Sequence, residues 1–160
     1  MSSTWLDVPP DHDFGPSNLP YGAFTPLCGC AYSRQSRCGA AIGDFVIDLS
    51  ALADAGLFSG PELSRTAKEV FSERKLNAFM SLGRPAWQEA RATLQRLLQP
   101  SEGALRDNRG LRDRAVLSRL TDIRMELPAD IGDYTDFYAS REHAFNVGVF
   151  TASLSPRSSL

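Results

Sequence analysis

Apolar and polar residues along this chain follow two periods, and the period of two marks its strands. Two short apolar runs flank Gly43, and glycine readily adopts the positive φ that a two-residue hairpin turn requires. The pattern therefore predicts paired strands over Gly39–Ile42 and Phe45–Leu49. Apolar and charged residues also alternate over residues 123–127, which predicts a half-buried strand ended by Pro128.

A helical period dominates the middle of the chain. Apolar residues recur at three-to-four spacing between Pro85 and Pro100, which predicts an amphipathic helix with Pro85 in its first turn. Weaker patterns with capping residues predict three shorter helices. These are Ala51–Ala55 after an N-cap at Ser50 and before Gly56, Glu73–Leu82 before Gly83, and Leu111–Leu117.

Residues 9–27 contain five prolines, and proline fixes φ and removes a hydrogen-bond donor. This composition predicts an extended, irregular lead-in rather than a regular element. Its apolar side chains are expected to fasten it to the domain by burial: Phe14, Leu19, Tyr21 and Phe24.

The composition is that of an ordinary soluble globular protein, with 160 residues, 42% hydrophobic residues and a net charge of −2. This length suffices for one domain and part of a second. Residues 61–120 hold twelve Lys/Arg against seven Asp/Glu, which we interpret as a solvated helical face. A nucleic-acid-binding module is the alternative, but it needs exposed aromatics among the basic residues, and Trp87 is the one available. We expect no nucleic-acid partner.

Neither a membrane anchor nor a targeting segment is expected. No apolar run approaches the length of a membrane span, and the first residues are acidic and proline-rich where a signal peptide is basic and apolar. The sequence therefore predicts a cytoplasmic protein without a membrane partner.

Three cysteines, Cys28, Cys30 and Cys38, lie within eleven residues. A zinc site favours C-x-x-C pairs or a nearby histidine, but the first pair is too close together and His12 is not suitably spaced. Free thiols are the favoured interpretation, and a metal site is the alternative.

The stretch "IGDYTDFYASREHAFNVG" (131–148) concentrates the candidate chemistry. It predicts an extended segment to Tyr138, then a helix capped by Ser140 that begins at Arg141. Asp136 would then precede the helix and could bind a hard divalent cation, and His143 in its first turn could act as a general base. Tyr138 could hydrogen-bond a substrate oxygen. Taken singly, each residue is more often a turn cap, a local hydrogen-bonding group or a packing residue, and one carboxylate holds a divalent cation poorly.

The run "LPADIGDYTDFYASREHAFNVG" closely resembles the signature of the fumarylacetoacetase family. Four other segments resemble that family's N-terminal region in the same order, and the resemblance covers roughly residues 4–149. These segments are "FGPSNLPYGAF", "AIGDFVIDLSAL", "LNAFMSLGRPAWQEARATLQRLL" and "RDRAVL".

This resemblance implies a mixed α+β fold, with a small β-barrel-like N-terminal domain bearing helices and the start of a mostly-β catalytic domain. The corresponding ranges are 1–118 for the N-terminal domain, 119–149 for the start of the catalytic domain, and 150–160 for a divergent tail. The tail is rich in serine and has no core to join, so we expect it to be disordered.

The resemblance also implies a reaction and roles for three residues. The family is a homodimeric, metal-dependent hydrolase that cleaves a carbon–carbon bond of fumarylacetoacetate, giving fumarate and acetoacetate at the end of tyrosine and phenylalanine catabolism. By this resemblance Asp136 binds Ca²⁺ or Mg²⁺, Tyr138 contacts the substrate, and His143 is the base that activates water.

Two departures from the family pattern limit what the chain is expected to do. Phe145 stands where the family usually has a small polar residue, and the resemblance ends after Val149. The family's substrate-binding arginine, remaining metal carboxylates and catalytic glutamate and lysine lie further downstream. We therefore expect a C-terminally truncated chain that is inactive alone. The alternative function is that of a non-catalytic fragment that associates with full-length subunits.

Overall fold

The computed structural model describes residues 4–27, 35–133, 135, 137 and 139–154, and it divides into two compact units, 1–130 and 131–160. The first unit is a mixed α+β domain built on a curled, five-stranded antiparallel half-barrel with the order β4-β3-β2-β1-β5. The strands are β1 (Tyr21–Pro26), β2 (Arg37–Ile42), β3 (Phe45–Asp48), β4 (Val116–Ser118) and β5 (Ile123–Glu126). The fold class expected from the resemblance is therefore confirmed.

The β2–β3 hairpin confirms the predicted strand pair. Ala41 pairs with Val46 and Ile42 with Phe45, and Gly43 makes the turn with φ of 53°. A side chain at Gly43 would also approach the side chain of Val8 to within 2.8 Å, so both the turn and the close packing favour glycine there.

The inner strand β1, between β2 and β5, is where the sequence-based prediction was wrong. Its residues belong to the proline-rich stretch expected to be irregular, yet β1 pairs with both β2 and β5. Phe24 is fully buried and its ring covers Gly39, where an added Cβ would lie 2.7 Å away. Of the four predicted anchors, Leu19 and Phe24 are buried, whereas Phe14 and Tyr21 are half-buried.

Among the described residues, six helices complete the first unit. The helix predicted from Pro85 is confirmed, and its buried side chains include Ala90, Leu94 and Leu97. The helices are α1 (Leu49–Asp54), α2 (Ala67–Ser72), α3 (Asn77–Ser81), α4 (Arg84–Leu97), α5 (Gly103–Arg106) and α6 (Arg109–Ala115).

Two predictions about the shorter helices were wrong in informative ways. Asp48, not Ser50, caps α1, because its carboxylate accepts a hydrogen bond from the Ala51 N–H. The single helix predicted over Glu73–Leu82 is instead α2 and α3, separated where Glu73 takes an extended conformation with ψ of 154°.

The ends of two further elements also differ from expectation. Helix α6 stops at Ala115 and the chain continues into β4, so the helix predicted to Leu117 was too long. Strand β5 forms as predicted, but of the alternating apolar residues expected to be buried, only Ile123 is. Met125, in the edge strand β5, and Leu127, just after that strand ends, are both exposed.

The main core lies between one face of the sheet and the helices. Cys38, Ala40 and Ile42 point from β2 into this core. Phe71 packs there between Phe58 and Phe79, with ring centroids 4.9 and 5.1 Å away. A smaller cluster on the other side of the sheet consists of Phe24, Val46, Ile123 and Leu117.

The second unit contains α7 (Arg141–Leu154). The Ser140 Oγ accepts a hydrogen bond from the His143 N–H at 3.1 Å, which confirms the predicted cap. The helix includes Phe150–Leu154, and residues 155–160 lie outside the described part, so the expected disorder of the tail stays a prediction. In the described chain, no helix is both long and apolar enough to cross a membrane.

Candidate functional site

His143 lies in the first turn of α7 and is exposed to solvent. Its backbone N–H donates to the Ser140 Oγ, which holds the residue at the helix start. Glu142 precedes it in the same turn, where a carboxylate interacts favourably with the helix N-terminus. This placement suits a group that exchanges protons with water.

The other two candidate residues, Asp136 and Tyr138, lie outside the residues that the structure describes. Their distances from His143 are therefore not part of the observed geometry, and their roles stay predictions. Phe137 between them is 75% exposed, so the described part of this segment is not buried in its own unit.

The described residues do not fit a divalent-cation site. Among them, no three His, Cys, Asp or Glu side chains lie close enough to hold a metal ion. Ca²⁺ and Mg²⁺ require several oxygen ligands, and Asp136 alone would supply one carboxylate. No catalytic step through a metal ion can be derived from the described side chains.

Asp48 and Arg37 form the most deeply buried ion pair of the described residues. The Arg37 Nη1 lies 2.8 Å from the Asp48 Oδ2, and the Asp48 side chain is fully buried. Burial raises the pKa of the Asp48 carboxyl, while the hydrogen bonds from Arg37 and from the N–H groups of Ala51 and Ser50 oppose that rise. All of these partners belong to β2 and the start of α1, so the pair has a structural role.

Cys38 is a buried, free thiol, as the favoured interpretation of the cysteines predicted for it. Burial, with smaller effects from Asp48 and Glu73, raises its pKa to about 11. A thiol with that pKa is a poor nucleophile and a poor metal ligand at neutral pH. Cys28 and Cys30 lie outside the described residues.

Sequence reasoning missed the contacts that hold the chain just before the candidate segment. Asn77 at the start of α3 hydrogen-bonds both backbone groups of Asp130, and Lys75 forms an ion pair with its carboxylate. The partners are more than fifty residues apart, so no local pattern could have revealed them.

Comparison with known proteins identifies the lineage of this domain. A family model described as fumarylacetoacetase N-terminal matches residues 17–128. The chain belongs to this family. The family resemblance is thereby confirmed over residues 17–128, a range that contains β1 to β5 and α1 to α6 and ends before the segment of the candidate residues.

Curated relatives named fumarylacetoacetase are similar over a longer stretch of the chain. The proteins of Dictyostelium discoideum and Mus musculus are each 49% identical over 146 residues, and that of Homo sapiens is 47% identical over 146 residues. Each match covers 91% of this chain but 32–33% of the relative. The chain thus spans about a third of the length of these fumarylacetoacetases.

These longer matches also bear on the candidate residues. A match over 146 of the 160 residues leaves about fourteen unmatched, whereas seventeen residues follow His143. The similarity to the fumarylacetoacetases therefore reaches His143, beyond the range of the N-terminal family model.

Proposed function

We propose that this chain forms the N-terminal domain and the first part of the active site of a hydrolase acting on 4-fumarylacetoacetate. The reaction cleaves a carbon–carbon bond with water, gives fumarate and acetoacetate, and ends tyrosine and phenylalanine catabolism. The observation that carries this proposal is the similarity to fumarylacetoacetases through His143, which lies exposed at a capped helix start.

Three residues have proposed roles in that reaction. His143, as a neutral imidazole, takes a proton from water so that the resulting hydroxide attacks a substrate carbonyl. Tyr138 donates a hydrogen bond to a substrate oxygen. Asp136 is one ligand of Ca²⁺ or Mg²⁺. Because the described residues supply no ligand set, the remaining ligands would come from the part of the relatives that lies outside their match to this chain.

The first test uses the purified 160-residue chain with fumarylacetoacetate and either Ca²⁺ or Mg²⁺. We expect substrate absorbance to fall no faster than in a blank that contains the cation alone, because one carboxylate is too few for the site. Turnover well above that blank would contradict the proposal that the chain alone is inactive.

The second test uses a completed enzyme, in which residues 1–149 are joined to the part of the Mus musculus relative that follows its matched region. We expect it to hydrolyse fumarylacetoacetate. H143A should lower kcat by roughly 10²-fold or more, the range typical of a lost general base. H12A is the matched control, since His12 lies in the first unit and accepts a hydrogen bond from the Phe14 N–H. An inactive completed enzyme, or equal loss in both variants, would contradict the proposal.

A second function, association with full-length fumarylacetoacetase subunits, is favoured by the exposed apolar side chains of the second unit. Five of its large hydrophobic residues are more than half exposed, which is typical of surfaces that contact a partner. They are Ile131, Phe137, Phe145, Val149 and Phe150.

Co-purification with the full-length Mus musculus protein, followed by analytical ultracentrifugation, tests this association. We expect a complex that contains both proteins, and we expect F145S to weaken their association. The control L120S changes an exposed leucine of the first unit that is 72% exposed. Separate sedimentation of the two proteins would exclude the association, and sedimentation of the chain alone would test the homodimer.

A further inference from the structure

The chain leaves the first unit through a short segment, residues 127–130, that burial does not hold in place. Leu127 is 69% exposed, Pro128 and Asp130 are exposed, and Ala129 is half-buried. Strand β5 has already ended at Glu126, so sheet pairing does not extend to this segment either. Its position must therefore depend on polar contacts.

Those contacts come from Lys75 and Leu76, which lie between α2 and α3, and from Asn77, the first residue of α3. The Asn77 Oδ1 accepts a hydrogen bond from the Asp130 N–H at 2.8 Å, and the Asn77 Nδ2 donates to the Asp130 carbonyl at 3.1 Å. One residue earlier, the Leu76 N–H donates to the Pro128 carbonyl at 2.8 Å. The Lys75 ammonium lies against the Asp130 carboxylate.

The Asn77 side chain is well suited to this task. A carboxamide carries one acceptor and one donor group side by side, as a peptide does, so it can pair with both backbone groups of one residue. Two such bonds fix the orientation of that backbone as well as its distance. The helix that carries Asn77 is itself anchored, because Phe79 is buried in the core and its carbonyl accepts a hydrogen bond from the Trp87 Nε1.

We propose that Asn77 is a positioning residue for the candidate active site. By fixing the backbone of Asp130, it fixes the point from which residues 131–149 continue, and that stretch carries Asp136 and His143. The catalytic part of this inference rests on the proposed function, whereas the structural part does not. Because small displacements of reacting groups slow catalysis strongly, loss of the anchor should reduce turnover.

Amide hydrogen exchange in the complete 160-residue chain tests the structural part. N77A should raise the exchange rate of the Asp130 amide about ten-fold, since its acceptor is lost. N108A is the matched control, because Asn108 caps α6 by accepting a hydrogen bond from the Leu111 N–H, away from Asp130. It should lower the urea midpoint to a similar extent and leave Asp130 exchange unchanged.

An unchanged Asp130 exchange rate in N77A, or an equal rise in N108A, would overturn the inference. If N77A does not fold, N77D replaces it: that variant keeps an acceptor for the Asp130 N–H, but it places a charged oxygen in place of the donor to the Asp130 carbonyl. N77D should then raise exchange by less than ten-fold but measurably above the N108A control, and exchange equal to that control would overturn the inference.

The completed enzyme tests the catalytic part. N77A should lower kcat about ten-fold with less than a two-fold change in KM, whereas N108A should leave both unchanged. Parental kcat in N77A would overturn the positioning role even if exchange had risen. An inactive parent would instead contradict the proposed function, and the exchange experiment would still decide whether Asn77 anchors Asp130.

Discussion

The two units of this chain differ in what holds them together. In the first unit, one face of the sheet and helices α1 to α6 enclose a core that contains fully buried side chains such as Phe71, Leu94 and Leu97. In the second unit, no described residue from 131 to 150 is buried, and only Ala144 and Val147 are half-buried. The candidate chemistry lies in this second unit, whereas the packing that stabilises the chain lies in the first.

The difference also distinguishes residues that the fold of their own unit explains from residues that it does not explain. Residues of the first unit are explained by burial, caps and turns, which are internal requirements of the domain. The exposed apolar side chains of the second unit are not explained by its own fold. They are explained if further structure covers them, as the longer fumarylacetoacetase relatives would allow.

The largest expected effect tests whether stability resides in the first unit. F71A should lower the free energy of unfolding by about 3–5 kcal/mol, because it leaves a cavity between two other rings. F145A, at a side chain that is 69% exposed, should change it by less than about 0.5 kcal/mol. Urea denaturation followed by circular dichroism measures both. Similar losses would show that the two units do not differ in this way.

The next effect concerns the buried charge of the first unit. R37M leaves the Asp48 carboxylate without its cationic partner and should cost about 3 kcal/mol at pH 7. Without Arg37, the pKa of the Asp48 carboxyl in the folded state rises further. The cost of burying its charge is absent below the unfolded-state pKa, where the carboxyl is protonated in both states, and it grows as the pH rises. The loss should therefore be smaller at pH 4. R96M, which removes a partly exposed pair with Glu102, should cost less than about 1 kcal/mol, and an equal cost would contradict the role of burial.

Local signals were sufficient to predict part of the first unit. The β2–β3 hairpin and α4 follow from a glycine turn and an apolar stripe, both of which lie within the elements themselves. The inner strand β1 could not be predicted in this way, because its partner β5 lies about a hundred residues away, as in the pairing of Ala23 with Glu126. Long-range pairing overrode the proline-rich composition.

The break between α2 and α3 has the same origin. Glu73 to Leu76 leave the helical path where Leu76 and Asn77 bond to residues 128–130, a contact that no sequence window contains. For the second unit, the Ser140 cap was predictable from local pattern, but the roles of Asp136, Tyr138 and His143 came from the family resemblance. Isolated polar residues do not reveal a site whose other residues lie elsewhere.

A pH measurement tests the first unit through its buried thiol. Burial raises the pKa of the Cys38 thiol to about 11 in the folded state, from about 9 in the unfolded chain. Its contribution to folding stability is therefore complete below pH 9, and it is lost as the pH rises through 11, because the unfolded chain deprotonates first. Raising the pH from 8 to 10.5 should therefore cost the parent about 2 kcal/mol more than C38A. Urea midpoints at the two pH values measure this difference. The same pH dependence in the parent and in C38A would show that the Cys38 thiol is accessible to water and that burial does not raise its pKa.

The smallest expected effect lies where the two units join in sequence. K75M removes the ion pair with Asp130, whose side chain is 75% exposed, so water and salt already screen the charge. We expect a loss of at most about 0.5 kcal/mol, which 0.5 M NaCl should abolish, and no change in exchange of the Asp130 amide. Exchange as fast as in N77A would mean that charge, rather than the paired amide of Asn77, fixes the chain at Asp130. If exchange of the Asp130 amide is unchanged in K75M but faster in N77A, the two neutral hydrogen bonds between Asn77 and Asp130 hold the chain there.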